Sequence, residues 1–328
     1  VMAADKLRCF LDGRAGLSVF DSVQRAWYTC GETIGKVNSA MSSVAVVTDS
    51  CASIPESLIE SLKIHIVPYY MHRGRETLRD LVSVERESFY RWLPEAGQLP
   101  TTAAPGPGDY LDTYQRLATE AGATEILSIH MTSKGSGAYQ AAVLAQSMAR
   151  EQLPNLQVVV IDTLNVSMCQ GWMTIEAARA ALEDRSLPNI VGLVKSMIPK
   201  ARMIQTADTL RYLYLGGRIG RAKHLVGSLL GIKPLIGMED GVIVALGQAR
   251  SRRQAYEKMV GMVQAAVGGG KVKVAYVHAA AREEAEKICR LMEARIDVAE
   301  SLVAELSPVL GVHTGPGTAG VCFFPVLE

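Results

Sequence analysis

His313 stands in Gly311-Val-His-Thr-Gly-Pro-Gly-Thr-Ala-Gly320, an ionisable imidazole among four glycines and a proline. Glycine admits backbone conformations closed to other residues and lets main chain approach a ligand closely. The segment therefore reads as a binding loop with a proton-carrying group at its tip. Val309-Leu310 on one side and Val321 to Phe324 on the other are short apolar runs that read as strands. Loops held between rigid elements are where binding groups are usually carried. Two chemistries are open to such an imidazole: donating a hydrogen bond to an anion, or moving a proton as a general base.

Other segments repeat the pattern of a strand, a small polar loop and a helix. Val44-Ala-Val-Val-Thr-Asp-Ser50 sets Asp49 and Ser50 at the strand edge where open parallel sheets place ligands. The alternative is plain capping, with Asp49 or Ser53 ahead of a helix opened by Pro55 and Glu56. Cys51 has no base beside it in sequence to activate a thiol. Pro100-Thr-Thr-Ala-Ala-Pro-Gly-Pro-Gly-Asp109 is a rigid loop before a helix, where unpaired N–H groups and the helix dipole suit an anion. Ser128-Ile-His-Met-Thr-Ser-Lys-Gly-Ser-Gly-Ala-Tyr139 resembles a phosphate cradle, but its glycines are not followed by the Lys-Ser/Thr of a nucleotide-binding P-loop. His130 is expected to be packed or hydrogen-bonded rather than a ligand.

Arg218 follows a Gly-Gly turn in Thr209-Leu-Arg-Tyr-Leu-Tyr-Leu-Gly-Gly-Arg-Ile-Gly220 and suits either a helix C-cap or a ligand contact. Leu225 to Pro234 has near-helical apolar spacing broken by Gly227 and Gly231. Core packing is the plain reading and a mobile apolar lid the sharper one, since each glycine weakens a helix by about 1 kcal/mol. The basic cluster Arg250 to Arg253 reads as solvated, and His65, His72, His224 and His278 as structural.

Positioning these groups falls to an α/β framework. The 328 residues are 48% hydrophobic, ample for two buried cores, and 34 Lys plus Arg nearly balance 33 Asp plus Glu. That balance argues against a nucleic-acid surface or a polybasic membrane patch. No apolar run approaches the roughly 18 residues needed to span a bilayer and no signal pattern opens the chain, so a soluble, cytosolic protein is expected. Six scattered cysteines without CxxC pairing argue against disulfides and structural zinc.

Residues 1–42 lack strand signals and read as a helical extension, with Leu7, Phe10, Leu11, Val19, Val23 and Trp27 at helical spacing. From Val44 on, β-branched runs at Val44–Val47, Ile64–Tyr70, Glu125–Ile129 and Val158–Ile161 alternate with helices at Tyr110–Ala121, Ala138–Glu151 and Val166–Glu183. That alternation predicts a parallel sheet. Later strands are expected at Arg202–Thr206, Gly241–Leu246, Lys271–His278 and Val321–Val326, and helices at Ile190–Pro199, Ser251–Val267 and Arg282–Arg295. A boundary near residues 200–205 gives an α/β domain over 43–202 and a second over 203–328.

Taken together, VVTDS, the TTAAP loop, TSKGSGAYQAA, VIDT, TLRYLYLGGRIG, LLGIKPLI, QARSRRQA and HTGPGTAG, in this order from about Val44 to Phe324, resemble the DegV family of bacterial fatty-acid-binding proteins. The resemblance implies two α/β domains, the first with a mostly parallel sheet and the second with a mixed one, and a ligand tunnel between them. It places the carboxylate of a fatty acid on Thr102, Ser133, Ser136, Arg218 and His313. Asp49, Ser50, Gly135, Gly137, Gly315 and Gly317 would support the loops, and Ile219, Leu225, Leu229 and Ile232 would line the tunnel or lid. Where the family's usual motif is Thr-Ser-x-Pro-Ser, this chain reads Thr102-Ala103-Ala104-Pro105-Gly106, losing two hydroxyls; Ala138 and Cys51 each replace a usual threonine.

The implied function is that of a non-catalytic carrier without metal or cofactor. It would hold a fatty acid such as palmitate or oleate and present it to a partner ATP-dependent fatty acid kinase, which makes an acyl phosphate for phospholipid synthesis. The rival reading is an enzyme acting on an acyl or phosphorylated small molecule, with Asp49 or His313 as base. A third is a sensor or scaffold acting through residues 1–42.

Overall fold

The structure, a computed structural model, describes residues 44–228 and 231–326, so the expected helical extension over 1–42 and the lid residue Leu229 lie outside the described residues. In chain order the first strands are β1 (Val44–Asp49), β2 (His65–Val67), β3 (Tyr70–Arg73), β4 (Glu76–Arg79), β5 (Thr101–Ala103), β6 (Glu125–His130) and β7 (Gln157–Asp162). They are followed by β8 (Arg202–Thr206), β9 (Lys233–Glu239), β10 (Val242–Ala249), β11 (Val272–His278), β12 (Val298–Glu305) and β13 (Ala319–Pro325).

Strands β2-β1-β6-β7 form a wholly parallel sheet in that order. The runs VAVVTD and EILSIH are buried along nearly their whole length, as strands covered on both faces must be. Strands β4-β3-β5 form a small antiparallel sheet. Every strand from Arg202 onward joins one six-stranded sheet, β10-β9-β8-β13-β11-β12, in which only β11 and β12 run parallel. The α/β architecture and the mixed character of the second sheet match expectation.

The helix Met168–Leu182 joins the two large sheets. Twelve of its fifteen residues are buried, because it packs on β1 and β6 of one sheet and on β13 of the other. A helix buried on most of its faces belongs in such a place, with Glu176 and Arg179 the charged pair it carries at 2.8 Å. Trp172 marks the contact: its indole N–H donates to the Cys322 carbonyl at 3.3 Å, and its ring meets Phe324 edge-on at 5.9 Å. The neighbouring helix Ala138–Gln152 buries Ala138, Ala142, Ala145 and Ala149, a stripe of small residues facing inward.

Several expectations are corrected. Ile64–Tyr70 is not one strand: His65–Val67 and Tyr70–Arg73 belong to different sheets, separated at Pro68, which has no N–H to give a ladder. Val309-Leu310 is not a strand but part of the helix Pro308–Thr314, started by the Ser307 side chain accepting from Leu310 N–H and by Pro308 in the first turn. His313 thus lies in the last turn of a helix and not at the tip of a loop. The segment after Gly220 is a 3-10 stretch to Ser228, and β9 begins at Lys233. Strands β9 and β12 and the small β4-β3-β5 sheet have no counterpart in the sequence reading.

Candidate functional site

The helix Pro308–Thr314 carries His313 to the edge of the small sheet, where β5 presents Thr102 from the strand position opposite Met71. Thr102 Oγ1 and His313 Nε2 lie 2.8 Å apart, a hydrogen bond whose direction depends on the tautomer. Nδ1 of the same ring is buried and has no partner among the described residues. It packs against Gly216, where a Cβ would overlap it. Burial, and then the positive charge of Arg218, push the His313 pKa down to about 4, so the ring is neutral at neutral pH.

Arg218 answers both sequence alternatives. Its Nη1 donates to the Gly216 carbonyl at 2.7 Å, capping the end of the helix Arg211–Leu215, while the residue also lines the cavity beside His313.

That cavity measures about 390 Å³, within the usual range for small-molecule sites. Met131 and Val166 from the first sheet's side, Met203, Ile236 and Met238 from the six-stranded sheet, and Leu306, Val309 and Leu310 give it a largely apolar lining. Thr102, Ser136, Arg218 and His313 contribute its polar groups, together with Cys51, Tyr69, Thr132 and Lys134. A second cavity of about 420 Å³ shares Thr102, Arg218 and His313 with the first and adds Arg211 and residues 96–101, Gln98 among them. Its lining contains no Asp or Glu.

The Ser/Gly loop reaches the cavity in part. Ser136 and Gly135 line it, and Ser136 Oγ is 2.6 Å from the hydroxyl of Tyr69, whose pKa burial raises well above the ordinary value. Ser133 is not on the cavity wall; its N–H donates to Asp162 at 3.2 Å. Gly137 is the residue before the helix Ala138–Gln152. Thr132 Oγ1 donates to the Gly241 carbonyl at 2.9 Å, tying this loop to the β9–β10 turn.

Asp49 is corrected as a general-base candidate. It is fully buried and off the cavity, with Oδ1 accepting from Cys51 N–H and Oδ2 facing Met131 N–H and His130 Nδ1 at 3.0 Å. The chain continues inward from His130 Nε2 to Ser128 Oγ at 2.7 Å, which accepts from Tyr114. An Asp-His-Ser series with every member buried is a framework of the sheet ends, without access to substrate. Ser50 Oγ accepts from Tyr69 N–H and so braces the tyrosine that meets Ser136. The Cys51 thiol lines the cavity with its pKa raised by burial, the opposite of an activated nucleophile.

Of the expected tunnel residues, Ile219 and Leu225 lie in a buried cluster with Leu213 and Ile236, which themselves line the cavity. They back the wall rather than form it. Ile232 is half-buried and off the wall. Gly315 has φ +77° with a Tyr212 ring where a Cβ would be, and Gly317, φ +81°, lies beside Arg252 and Asp208. Both shape the exit of the His313 helix and do not touch the cavity. Tyr69, Met131, Met203, Gln205 and Met238 line it without any sequence signal, since each reads as ordinary core. Among the described residues no cluster of His, Cys, Asp or Glu is arranged to hold a metal ion, and no helix is long and apolar enough to cross a membrane.

Comparison with known proteins gives a consistent picture. A family model described as uncharacterised proteins of the DegV family matches residues 43–326. Protein DegV of Bacillus subtilis is 31% identical over 283 residues, covering 86% of this chain and 99% of that protein. A DegV domain-containing protein of Streptomyces coelicolor is 34% identical over 279 residues, covering 85% and 97%. Among solved structures, a DegV family protein from Thermus thermophilus described by its fatty acid binding superimposes with TM-score 0.80 at 28% identity, covering 86% of this chain and 99% of that one. The Bacillus subtilis DegV structure, described as a fatty acid binding protein, gives 0.77 at 30% identity over 86% and 99%. With nearly all of the described chain matched by the family model and by relatives above 30% identity, this protein belongs to the DegV family.

Proposed function

We propose that this protein binds a long-chain fatty acid, such as palmitate or oleate, and presents its carboxylate to a separate ATP-dependent kinase. The carrying observation is one apolar cavity of about 390 Å³ whose polar wall contains Thr102, Ser136, Arg218 and His313. A carboxylate taken from water costs several kcal/mol unless it is paired and hydrogen-bonded. Hydroxyls, a guanidinium and an imidazole are the groups that supply such partners. Ser133, off the cavity wall, is left out of this set. The tail supplies the affinity: at about 0.8 kcal/mol per CH₂, some ten buried methylenes contribute roughly 8 kcal/mol before binding costs. Micromolar retention needs about that much. The fatty-acid-binding relatives from Thermus thermophilus and Bacillus subtilis support the ligand class.

The kinase step is supported by the second cavity. Thr102, Arg218 and His313 line both spaces, so a carboxylate held by them faces a polar recess lined by Arg211 and Arg218 and no acidic residue. Such a recess suits the approach of an anionic phosphoryl donor carried by another protein. The test of ligand class is native mass spectrometry with organic extraction of the purified protein. Co-purified fatty acid is expected; its absence in both measurements, with no uptake of added oleate, defeats the proposal. Acyl phosphate formation only when a fatty acid kinase and ATP are added tests the carrier role.

A further inference from the structure

The cavity face of the six-stranded sheet is apolar except at one position. Met203 and Gln205 alternate onto the same face of β8, and across the sheet Ile236 pairs with Gln205 while Ile243 pairs with Met238. All five line the cavity. Gln205 is 2% exposed and brings to that wall a carboxamide able both to donate and to accept. Ser167 enters the same cavity from the first sheet's side, at the head of the helix Met168–Leu182. It is 1% exposed, its Oγ is without a partner among the described residues, and its backbone sits at φ 58°, ψ −148°. That conformation is essentially confined to glycine and is held only where the surroundings impose it.

A buried hydroxyl without a partner, in an apolar cavity that also presents a carboxamide, calls for an explanation, because buried polar atoms are almost always hydrogen-bonded. A saturated hydrocarbon chain gives them none, since methylenes cannot donate or accept. A carboxamide and a hydroxyl can each do both. We propose that the cavity is built for an acyl chain bearing an oxygen function along its length, a hydroxyl or a keto group, received by Gln205 and Ser167. The inference rests on the fatty-acid reading and specifies its ligand class. Sites built to hydrogen-bond a substrate oxygen discriminate against the analogue lacking it, because their own groups are then left unpaired.

The test uses the full chain, stripped of lipid, in displacement titrations with stearate and a series of monohydroxystearates differing in hydroxyl position. One or two adjacent isomers are expected to bind at least tenfold tighter than stearate, about 1.4 kcal/mol. Gln205→Met keeps side-chain volume and Ser167→Gly accepts the backbone conformation, so both variants are expected to fold, with melting curves as the check. Each should lower the preferred isomer's advantage over stearate measured on the same variant, and the double variant should erase that ratio. If no isomer exceeds stearate, or if the advantage survives both substitutions, the proposal is overturned and ordered water is the partner of these groups. Failure of stearate and every isomer to bind is a different result, and takes the fatty-acid reading down as well.

Discussion

Thr102 and His313, 211 positions apart in sequence, are joined by a 2.8 Å hydrogen bond between Oγ1 and Nε2. The bond ties the small antiparallel sheet to the helix Pro308–Thr314 and fixes the imidazole where two cavities meet. Thr102→Val keeps the shape and removes the hydroxyl. A typical net hydrogen bond contributes about 1 kcal/mol to stability, so a loss of that order is expected in denaturant unfolding. Oleate affinity should fall by about tenfold or more, since both a carboxylate partner and the His313 anchor are lost, each worth roughly 1 kcal/mol or above. A titration with unchanged affinity would place the carboxylate elsewhere.

Gly216 tests the same imidazole from its other side. Its φ of −73° suits alanine, but a methyl there would overlap His313 Nδ1. Gly216→Ala should therefore displace the ring, weaken oleate binding nearly as much as His313→Ala does, and cost about 1–3 kcal/mol of stability through overpacking. Gly192→Ala, on the helix Leu187–Met197 with nothing within 4 Å of the added methyl, is the contrasting substitution. It should leave binding unchanged and raise stability by roughly 1 kcal/mol through helix propensity.

What could be read from the sequence follows from how far each signal reaches. Strands buried on both faces, such as β1 and β6, announce themselves as apolar runs, and the helix Ala138–Gln152 by its pattern of small residues. Thr102, Ser136, Arg218 and His313 were recognisable because they sit in glycine- or proline-marked segments at element ends. The His313 segment was misread because its glycines suggested a loop, while the Ser307-Pro308 start signal lay outside the motif. Strand β12, VAESLVAE, lies at an edge of the sheet, lacks a regular apolar alternation and carries a weak signal. Gln205 and Ser167 were invisible for a different reason. Their meaning lies in the cavity they share and, for Ser167, in a missing partner, and both belong to the fold rather than to the local sequence.

Asp80 holds the N-terminal end of the His313 helix, accepting from Val309 N–H at 3.4 Å while fully buried. Burial raises its pKa from 3.8 to about 6, against the lowering effects of the Ser50 and Ser307 hydroxyls and of Arg86. Keeping it ionised above pH 6 thus costs about 3 kcal/mol. A group raised in the folded state contributes stability below its unfolded pKa and loses it as pH rises through the folded value. His278 and His313, both depressed to about 4, act in the opposite sense: the stability they favour is present above 6.5 and lost as pH falls toward 4. Asp80→Asn removes only the first contribution. The stability difference between variant and parent should therefore grow in favour of the variant from pH 4 to pH 6.5, by up to about 3 kcal/mol, and level off above. A difference that stays flat across that range would show that the carboxyl titrates normally.

Binding should also move a proton. Burial and the positive charge of Arg218 depress His313 to about 4. A carboxylate seated beside it favours the imidazolium and raises that value, so association at pH 6 takes up a proton fraction between zero and one. By linkage the affinity then strengthens as pH falls from 7 toward 5, by at most about tenfold per pH unit. Calorimetric titration of oleate at pH 6 in two buffers of different ionisation enthalpy measures the uptake directly. His313→Gln keeps a donor of similar reach and cannot titrate, so it should bind oleate with no buffer dependence from this site and a flatter pH profile. Equal proton uptake in His313→Gln and the parent would assign the proton to another group and leave His313 as a neutral donor held in place by Thr102.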